Sequence, residues 1–264
     1  MPPGFFWRDM KEWLYGRNAV YESLLAKRRQ FYRLRLAEGL EEHGHFRDIL
    51  RLVSTYNVPV DRVARKSLDA FGSGHQGVAL EASGYPYSAL PDILSLAERR
   101  GEMPFVLILD ALQDPQNLGT LLRTAEAVGV HGVLLPFKRT ATVTPAVVNS
   151  SSGATEYLHI AQMNLAQAIQ RLKESNIWII GLEGAAQAQP ISRVRLDGPL
   201  ALVIGSEGSG MRELVRKSCD TLMRIPMRGK VESLNAAVAG SIALYSAWQE
   251  RGFNSTNIDE LNKS

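Results

Sequence analysis

Phe105-Val-Leu-Ile-Leu-Asp-Ala-Leu-Gln-Asp-Pro-Gln-Asn-Leu-Gly-Thr-Leu-Leu-Arg123 opens with five consecutive apolar residues, crosses a polar turn and closes on a helical repeat. A strand with no polar side is one covered on both faces, as in a parallel sheet flanked by helices. The same rhythm returns in apolar stretches near 132–137, 177–182, 200–205 and 221–226. Strands alternating with helices predict an α/β domain on a parallel sheet.

Upstream the elements are shorter and more basic. From Asn18 onward, Ala19, Val20, Leu24 and Leu25 have helical spacing, whereas Tyr32, Leu34 and Leu36 alternate with Arg33 and Arg35 as in a half-buried strand. A helix over 46–57, strands at 58–64 and 77–82 and a short helix over 66–71 complete a small α/β domain. Gly84, Pro86 and Pro91 interrupt regular structure. The reading is a small domain over 1–83, a linker over 84–98, which includes the start of a helix at 91–100, and a larger domain over 99–264. A chain of 264 residues with 45% hydrophobic and 22% charged residues has the material for two cores.

Net charge is +3, and residues 1–80 hold 13 Lys and Arg against 9 Asp and Glu, so the basic excess is N-terminal. Lys27, Arg28, Arg29, Arg33 and Arg35 cluster there with Phe31 and Tyr32 between them. Cations interleaved with aromatics hold phosphates and stack on bases, although a solvated helix end before an edge strand has the same composition. A single cysteine, Cys219, rules out an internal disulfide, and neither CxxC nor HExxH offers a zinc site. Charges at Arg8, Asp9, Lys11 and Glu12 stand where a signal peptide needs an apolar core, and no run approaches the ~18 apolar residues of a membrane span. A cytoplasmic protein is expected.

Three segments carry candidate chemistry. In the first, Asn117, Gly119 and Arg123 stand at the mouth of a helix that follows a strand, where ligands of open parallel sheets bind; Asn117 also reads as a helix cap and Arg123 as a surface charge. In the second, Leu202-Val-Ile-Gly-Ser-Glu-Gly-Ser-Gly-Met211, glycines after a buried strand let backbone amides approach a ligand. The order is not GxGxxG, the phosphate-loop lysine is missing, and Glu207 would repel phosphate. In the third, Ile225-Pro-Met-Arg-Gly-Lys-Val-Glu-Ser-Leu-Asn235, a strand ends in a basic loop and Ser233 is placed to cap a long helix.

Taken together, NxGxxxR after a strand, IG-S-EG-x-G, and IPM-x(6)-SLN before a C-terminal helix resemble the three motifs of the SpoU/TrmH class of the SPOUT methyltransferases. The segment Trp13-Leu-Tyr-Gly-Arg-Asn-Ala-Val-Tyr-Glu-Ser-Leu24 and the turn Gly74-His-Gln-Gly77 resemble that family's substrate-binding domain. The resemblance spans about residues 13–251 and is nearest to the bacterial enzymes that methylate a guanosine ribose in large-subunit ribosomal RNA. It implies a C-terminal domain tied in a deep trefoil knot, an exception to the rule against threaded chains. It further implies a homodimer, S-adenosyl-methionine as methyl donor and RNA as substrate, with neither metal nor membrane involved.

Residue by residue, the resemblance places Gly205, Ile225 and Leu234 on the cofactor, chiefly through backbone groups, with Leu182, Glu183, Gly184 and Met227 nearby. Arg123 is its main catalytic residue, and Asn117, Glu207, Ser233 and Asn235 orient Arg123 and the ribose. A guanidinium carries donors and no acceptor, so Arg123 suits anchoring a phosphate and steadying an alkoxide better than accepting a proton. Arg17 and Gln76, which lie in the two N-terminal segments, join Lys27, Arg28, Arg33 and Arg35 as RNA-binding candidates. Ser206 departs from the Asn common in the family, which puts one polar contact in doubt. Alternatives are a transfer-RNA ribose methyltransferase and a non-catalytic RNA-binding protein. A nicotinamide-dependent dehydrogenase is disfavoured because no GxGxxG follows strand 105–109. The scattered histidines His43, His45, His75, His131 and His159 are given no catalytic part.

Overall fold

The computed structural model describes residues 10–41, 43–206, 208–231 and 233–253. In chain order the elements are β1 (Lys11–Tyr15), α1 (Arg17–Ala26), β2 (Phe31–Ala37), α2 (His45–Thr55), β3 (Val60–Val63), β4 (Val78–Ser83), α3 (Leu90–Arg100) and β5 (Phe105–Leu109). They continue with α4 (Pro115–Ala127), β6 (Gly132–Leu135), α5 (Pro145–Ser150), β7 (Ile160–Gln162), α6 (Leu165–Glu174), β8 (Trp178–Leu182), β9 (Gln189–Pro190), β10 (Leu200–Ile204), α7 (Glu213–Lys217), β11 (Thr221–Arg224) and α8 (Ala236–Glu250). Contacts group the described residues into two compact units. One draws on residues 10–87, 114–123 and 141–158, and the other on 88–113, 124–140 and 159–253.

The second unit holds a seven-stranded sheet in the order β7-β6-β5-β10-β8-β11-β9, with every pair parallel. β5 and β10 are buried at all five positions, as their apolar composition requires. Val106, Ile108, Ala201 and Val203 pack with Ile93 of α3, with Leu165, Ile169 and Leu172 of α6, and with Val215 of α7. Just past α8, the Arg251 guanidinium donates to the carbonyls of Met103, Pro104 and Gly198 and lies 4.6 Å over the Phe105 ring. The end of α8 is thus tied to the chain entering β5 and β10. Burial lowers the pKa of Arg251 to about 10.

The first unit holds a four-stranded sheet in the order β1-β4-β2-β3, parallel only between β2 and β3. Leu34 and Leu36 of β2 are buried, as are Ala19, Val20 and Leu24 of α1 and Ile49 and Val53 of α2. Strand β1 has no counterpart in the sequence reading, because Lys11, Trp13 and Tyr15 alternate with Glu12 and Leu14 without a clean polar face. Likewise β7 and β9 are three and two residues long, too short for periodicity to register. The short helix expected over 66–71 is a single 3-10 turn at Arg65–Leu68.

A buried ion network fastens this unit. Arg29 Nε and Nη2 donate to the two carboxylate oxygens of Glu156, at 2.9 and 2.8 Å, and neither side chain is exposed. Nη1 donates to Glu12 and to the Ser83 carbonyl, at 2.9 Å for the latter. Burial alone would lower the Arg29 pKa, but the carboxylates of Glu156 and Glu12 carry it above its ordinary value. Beside it the buried Tyr85 hydroxyl donates to the carbonyls of Thr155 and Leu158, and burial raises its pKa. Removing one partner strands a desolvated charge, whereas removing both does not. Glu156→Leu is therefore expected to cost about 3–5 kcal/mol in a denaturant melt, and Arg29→Met combined with Glu156→Leu and Glu12→Gln, which leaves no charged member of the network, to recover most of it.

Candidate active site

Parallel pairing sets Ile204 of β10 beside Leu182 of β8, and Leu182 beside Met223 of β11. The chain therefore leaves all three strands at one edge of the sheet, where open α/β sheets bind ligands. Four sequence candidates stand at those exits: Leu182 at the end of β8 and Glu183 after it, Gly205 after β10, and Ile225 after β11. The first and third exits are joined by the Glu183 amide, which donates to the Met223 carbonyl at 2.8 Å. Gly184 is exposed, with open space where a Cβ would stand. Met227 and Leu234 are partly exposed along the connection to α8.

The glycine-rich loop folds back on itself. Ser206 and Gly210 exchange two backbone hydrogen bonds at 3.0 Å, and the buried Gly205 lies against the returning chain. A Cβ on Gly205 would stand 2.2 Å from the Gly210 carbonyl carbon and 2.3 Å from the Met211 nitrogen. Only glycine fits, so the backbone here presents amides with no side chain above them. Glu207 lies outside the described residues.

One residue the sequence reading passed over holds this loop in place. Asp110, fully buried after β5, accepts the Arg212 amide on Oδ2 and Arg212 Nε on Oδ1, both at 2.7 Å. Its own amide donates to the Ile204 carbonyl at 2.8 Å. One residue thus fixes where the loop starts, through its amide, and where it ends, through its carboxylate. The available signal was an acid directly after an all-apolar strand, since a buried carboxylate needs a partner. Glu183 is also engaged, accepting Arg216 Nε at 2.7 Å.

The third segment contains a correction. Ser233 does not cap α8; the helix starts at Ala236 and Asn235 is its cap, with Oδ1 accepting the amides of Ala237 and Val238 at 2.9 and 3.2 Å. Asn is as good a cap as Ser, and the alanines after it continue the helix. Ser233 is left exposed two residues upstream.

In the other unit, α4 carries Asn117, Gly119 and Arg123. Asp114 precedes the helix, with Oδ1 accepting the Gln116 amide at 3.0 Å, so Asn117 is not needed as a cap. Asn117 and Arg123 stand about 9 Å apart along the axis and on different faces. Arg123 is exposed and donates to Ser152 Oγ at 3.2 Å. Gly119 lets α5 approach, since its Cβ would stand 1.9 Å from Ser150 Oγ. The sequence reading had no place for the Asn149–Gly153 stretch that supplies these contacts.

Arg17 and Gln76, 59 residues apart, come together as the Arg17 amide donates to Gln76 Oε1 at 3.1 Å. Both are exposed, and Gln76 has a φ of +50°. Lys27 and Arg33 are exposed as well, whereas the Arg35 guanidinium lies 4.7 Å over the Trp13 ring, which stacks on Phe71. Arg28 is differently employed: its guanidinium donates to the carbonyls of Pro86, Glu156 and Leu158. Those bonds make it a brace for the chain. Among the described residues no group of His, Cys, Asp or Glu is arranged to hold a metal ion.

Residues 104–245 match the SpoU rRNA Methylase family, and residues 13–88 match the RNA 2'-O ribose methyltransferase substrate binding family. The Bacillus subtilis protein YacO, described as a TrmH family tRNA/rRNA methyltransferase, is 40% identical over 242 residues, 91% of this chain and 96% of its own. The Pseudomonas putida 23S rRNA (guanosine-2'-O-)-methyltransferase RlmB is 38% identical over 244 residues, 91% of this chain and 97% of its own. Among solved structures, the SpoU methyltransferase AviRb from Streptomyces viridochromogenes, in complex with the cofactor AdoMet, has the same fold. Its TM-score is 0.76 at 22% identity over 92% of each chain.

The close approach at Gly205 makes a direct forecast. Gly205→Ala overpacks the loop by ~1–3 kcal/mol, so calorimetric titration with S-adenosyl-methionine should show roughly ten-fold weaker binding or none. Unchanged affinity would place the cofactor elsewhere.

Proposed function

The chain belongs to the SpoU rRNA methylase family, and from that membership we propose that it methylates a ribose 2'-hydroxyl of RNA, using S-adenosyl-methionine and targeting a guanosine of large-subunit ribosomal RNA. The observation that carries this reading is the convergence of the second and third family segments, with the exit of β8, on one sheet edge, around a glycine whose backbone admits no Cβ. The donor supplies a methyl group already activated on a sulfonium.

The protein's part is binding and alignment. Gly205, Ile225 and Leu234 offer backbone groups to the donor, and Leu182, Glu183, Gly184 and Met227 border it. Asp110 keeps the glycine loop in shape through Arg212. Arg123, exposed and steadied by Ser152, anchors a phosphate and stabilises charge developing on the ribose oxygen. From family membership, Asn117, Glu207, Ser233 and Asn235 are assigned the part of orienting Arg123 and the ribose. Arg17, Lys27, Arg33, Arg35 and Gln76 hold RNA in the N-terminal unit. Arg28 is left out of that set because its guanidinium is spent on carbonyls.

The homodimer belongs to this reading. Val238, Ile242 and Tyr245 are spaced to share one face of α8 and are 47%, 40% and 49% exposed, an apolar stripe suited to a second copy. Among the described residues no helix is long and apolar enough to cross a membrane. The ribosomal RNA substrate of this reading places the enzyme in the cytoplasm.

Transfer of labelled methyl to RNA from a methylation-deficient strain, followed by fractionation and nucleoside analysis, is expected to yield 2'-O-methylguanosine in large-subunit RNA. Label in transfer RNA would overturn the substrate, and label on a base would overturn the reaction. Arg123→Ala should lower the transfer rate by about 10²–10³-fold while leaving donor affinity unchanged. Loss of both together would contradict its assigned part.

A further inference from the structure

A cavity of about 480 Å³ opens on the N-terminal unit, lined by Lys27, Gln30, Phe31, Tyr32 and Tyr56 together with Arg29. Its volume falls in the range of sites for small organic groups. Three of its walls are aromatic. Phe31 and Tyr56 meet at 5.7 Å with planes tilted by 40°, and Lys27 Nζ lies 5.7 Å from the Tyr56 ring centroid.

Two backbone irregularities build this cavity. Along β2 the partner of Phe31 is Ala82 and the partner of Arg33 is Glu81, so Tyr32 is an extra residue in a bulge. Without the bulge, Phe31 would share a face with Arg33 and Arg35; with it, the ring turns to the side of Leu34, where Tyr56 waits. Bulges re-aim side chains in this way and gather beside functional sites. Lys27, the cap residue of α1, has a φ of +54°, a conformation disfavoured for a side chain of this kind.

The polar groups are placed for recognition. Tyr32 donates its hydroxyl to Gln30 Oε1 at 3.0 Å, and the Gln30 Nε2 makes no bond among the described residues. Lys27 has no ion pair among the described residues, and Arg29 is consumed by Glu156 and Glu12. The cavity therefore offers stacking surfaces, one available ammonium and one free amide donor.

We propose that this cavity is a subsite for an unpaired nucleobase of the substrate RNA, separate from the nucleotide that is methylated. Phe31 and Tyr56 stack on the base, Tyr32, whose ring lies under Lys11 Nζ at 4.2 Å, closes the side, the Gln30 amide meets the base edge, and Lys27 holds the neighbouring phosphate. A paired base has its faces covered by its neighbours, so the subsite selects single-stranded loops or bulges. The inference rests on RNA being the substrate and adds where, and in what state, the N-terminal unit grips it.

The test uses the full chain and a short fluorescent single-stranded oligoribonucleotide, with its duplex as control, followed by anisotropy. Tyr56→Leu keeps apolar volume and removes the stacking face; Lys27→Gly removes the ammonium at a position whose φ suits glycine, so its melting temperature should hold or rise. Each variant is expected to bind the single strand roughly 5- to 100-fold more weakly, with duplex binding little changed. Single-strand binding equal to the parent in both variants, or an equal loss on duplex, overturns the proposal. Should Tyr56→Leu fail to fold, Lys27→Gly decides alone. Methyl transfer by the parent, measured in parallel, separates the two claims. Transfer with no variant effect sinks the cavity alone, and cavity-dependent binding without transfer sinks the enzymatic reading alone.

Discussion

Parallel pairing of β10 with β8, and of β8 with β11, is the constraint on which the candidate site depends. Parallel strands leave the sheet at the same edge, so the loops after Leu182, Ile204 and Arg224 must be neighbours although they are far apart in the chain. The stretch from Gly205 to Gly210 can fold tightly there only because Gly205 lacks a side chain. Asp110 then fixes the loop from β5, the neighbouring strand on the other side of β10. A buried sheet, one acid and one glycine thus suffice to fix the geometry of a mobile type of element.

In the N-terminal unit a cluster of arginines is divided between structure and surface. Arg29 disappears into a network with Glu156 and Glu12, Arg28 braces carbonyls, and Lys27 and Arg33 remain outside. Both arginines adjoin Lys27 in sequence, yet their environments differ because the chain turns from α1 into β2 at this point. Charge density alone does not measure RNA affinity here. What counts is which cations retain unspent donors.

Much of this was legible from residue order. All-apolar β5 and β10 announced a doubly covered sheet, and the three polar segments stood where the chain leaves strands. What stayed hidden has physical reasons. Strand β1 sets Lys11 with Trp13 and Tyr15 on one face and Glu12 with Leu14 on the other, so its period carries no polarity contrast. Ser233 and Asn235 are both good caps, and only the helix start at Ala236 separates them. Asp110 and Glu156 draw their importance from partners 102 and 127 residues away, a relation that no local pattern contains. The bulge at Tyr32 is likewise a property of pairing with β4, invisible along β2 itself.

Hydrogen exchange of the backbone amides, compared with and without S-adenosyl-methionine, tests the shared edge most directly. The account predicts that the segments after β8, β10 and β11, at 183–188, 205–210 and 225–235, gain protection together at one donor concentration. Protection confined to one of them, or appearing at the opposite edge of the sheet where Arg251 is held, would contradict it.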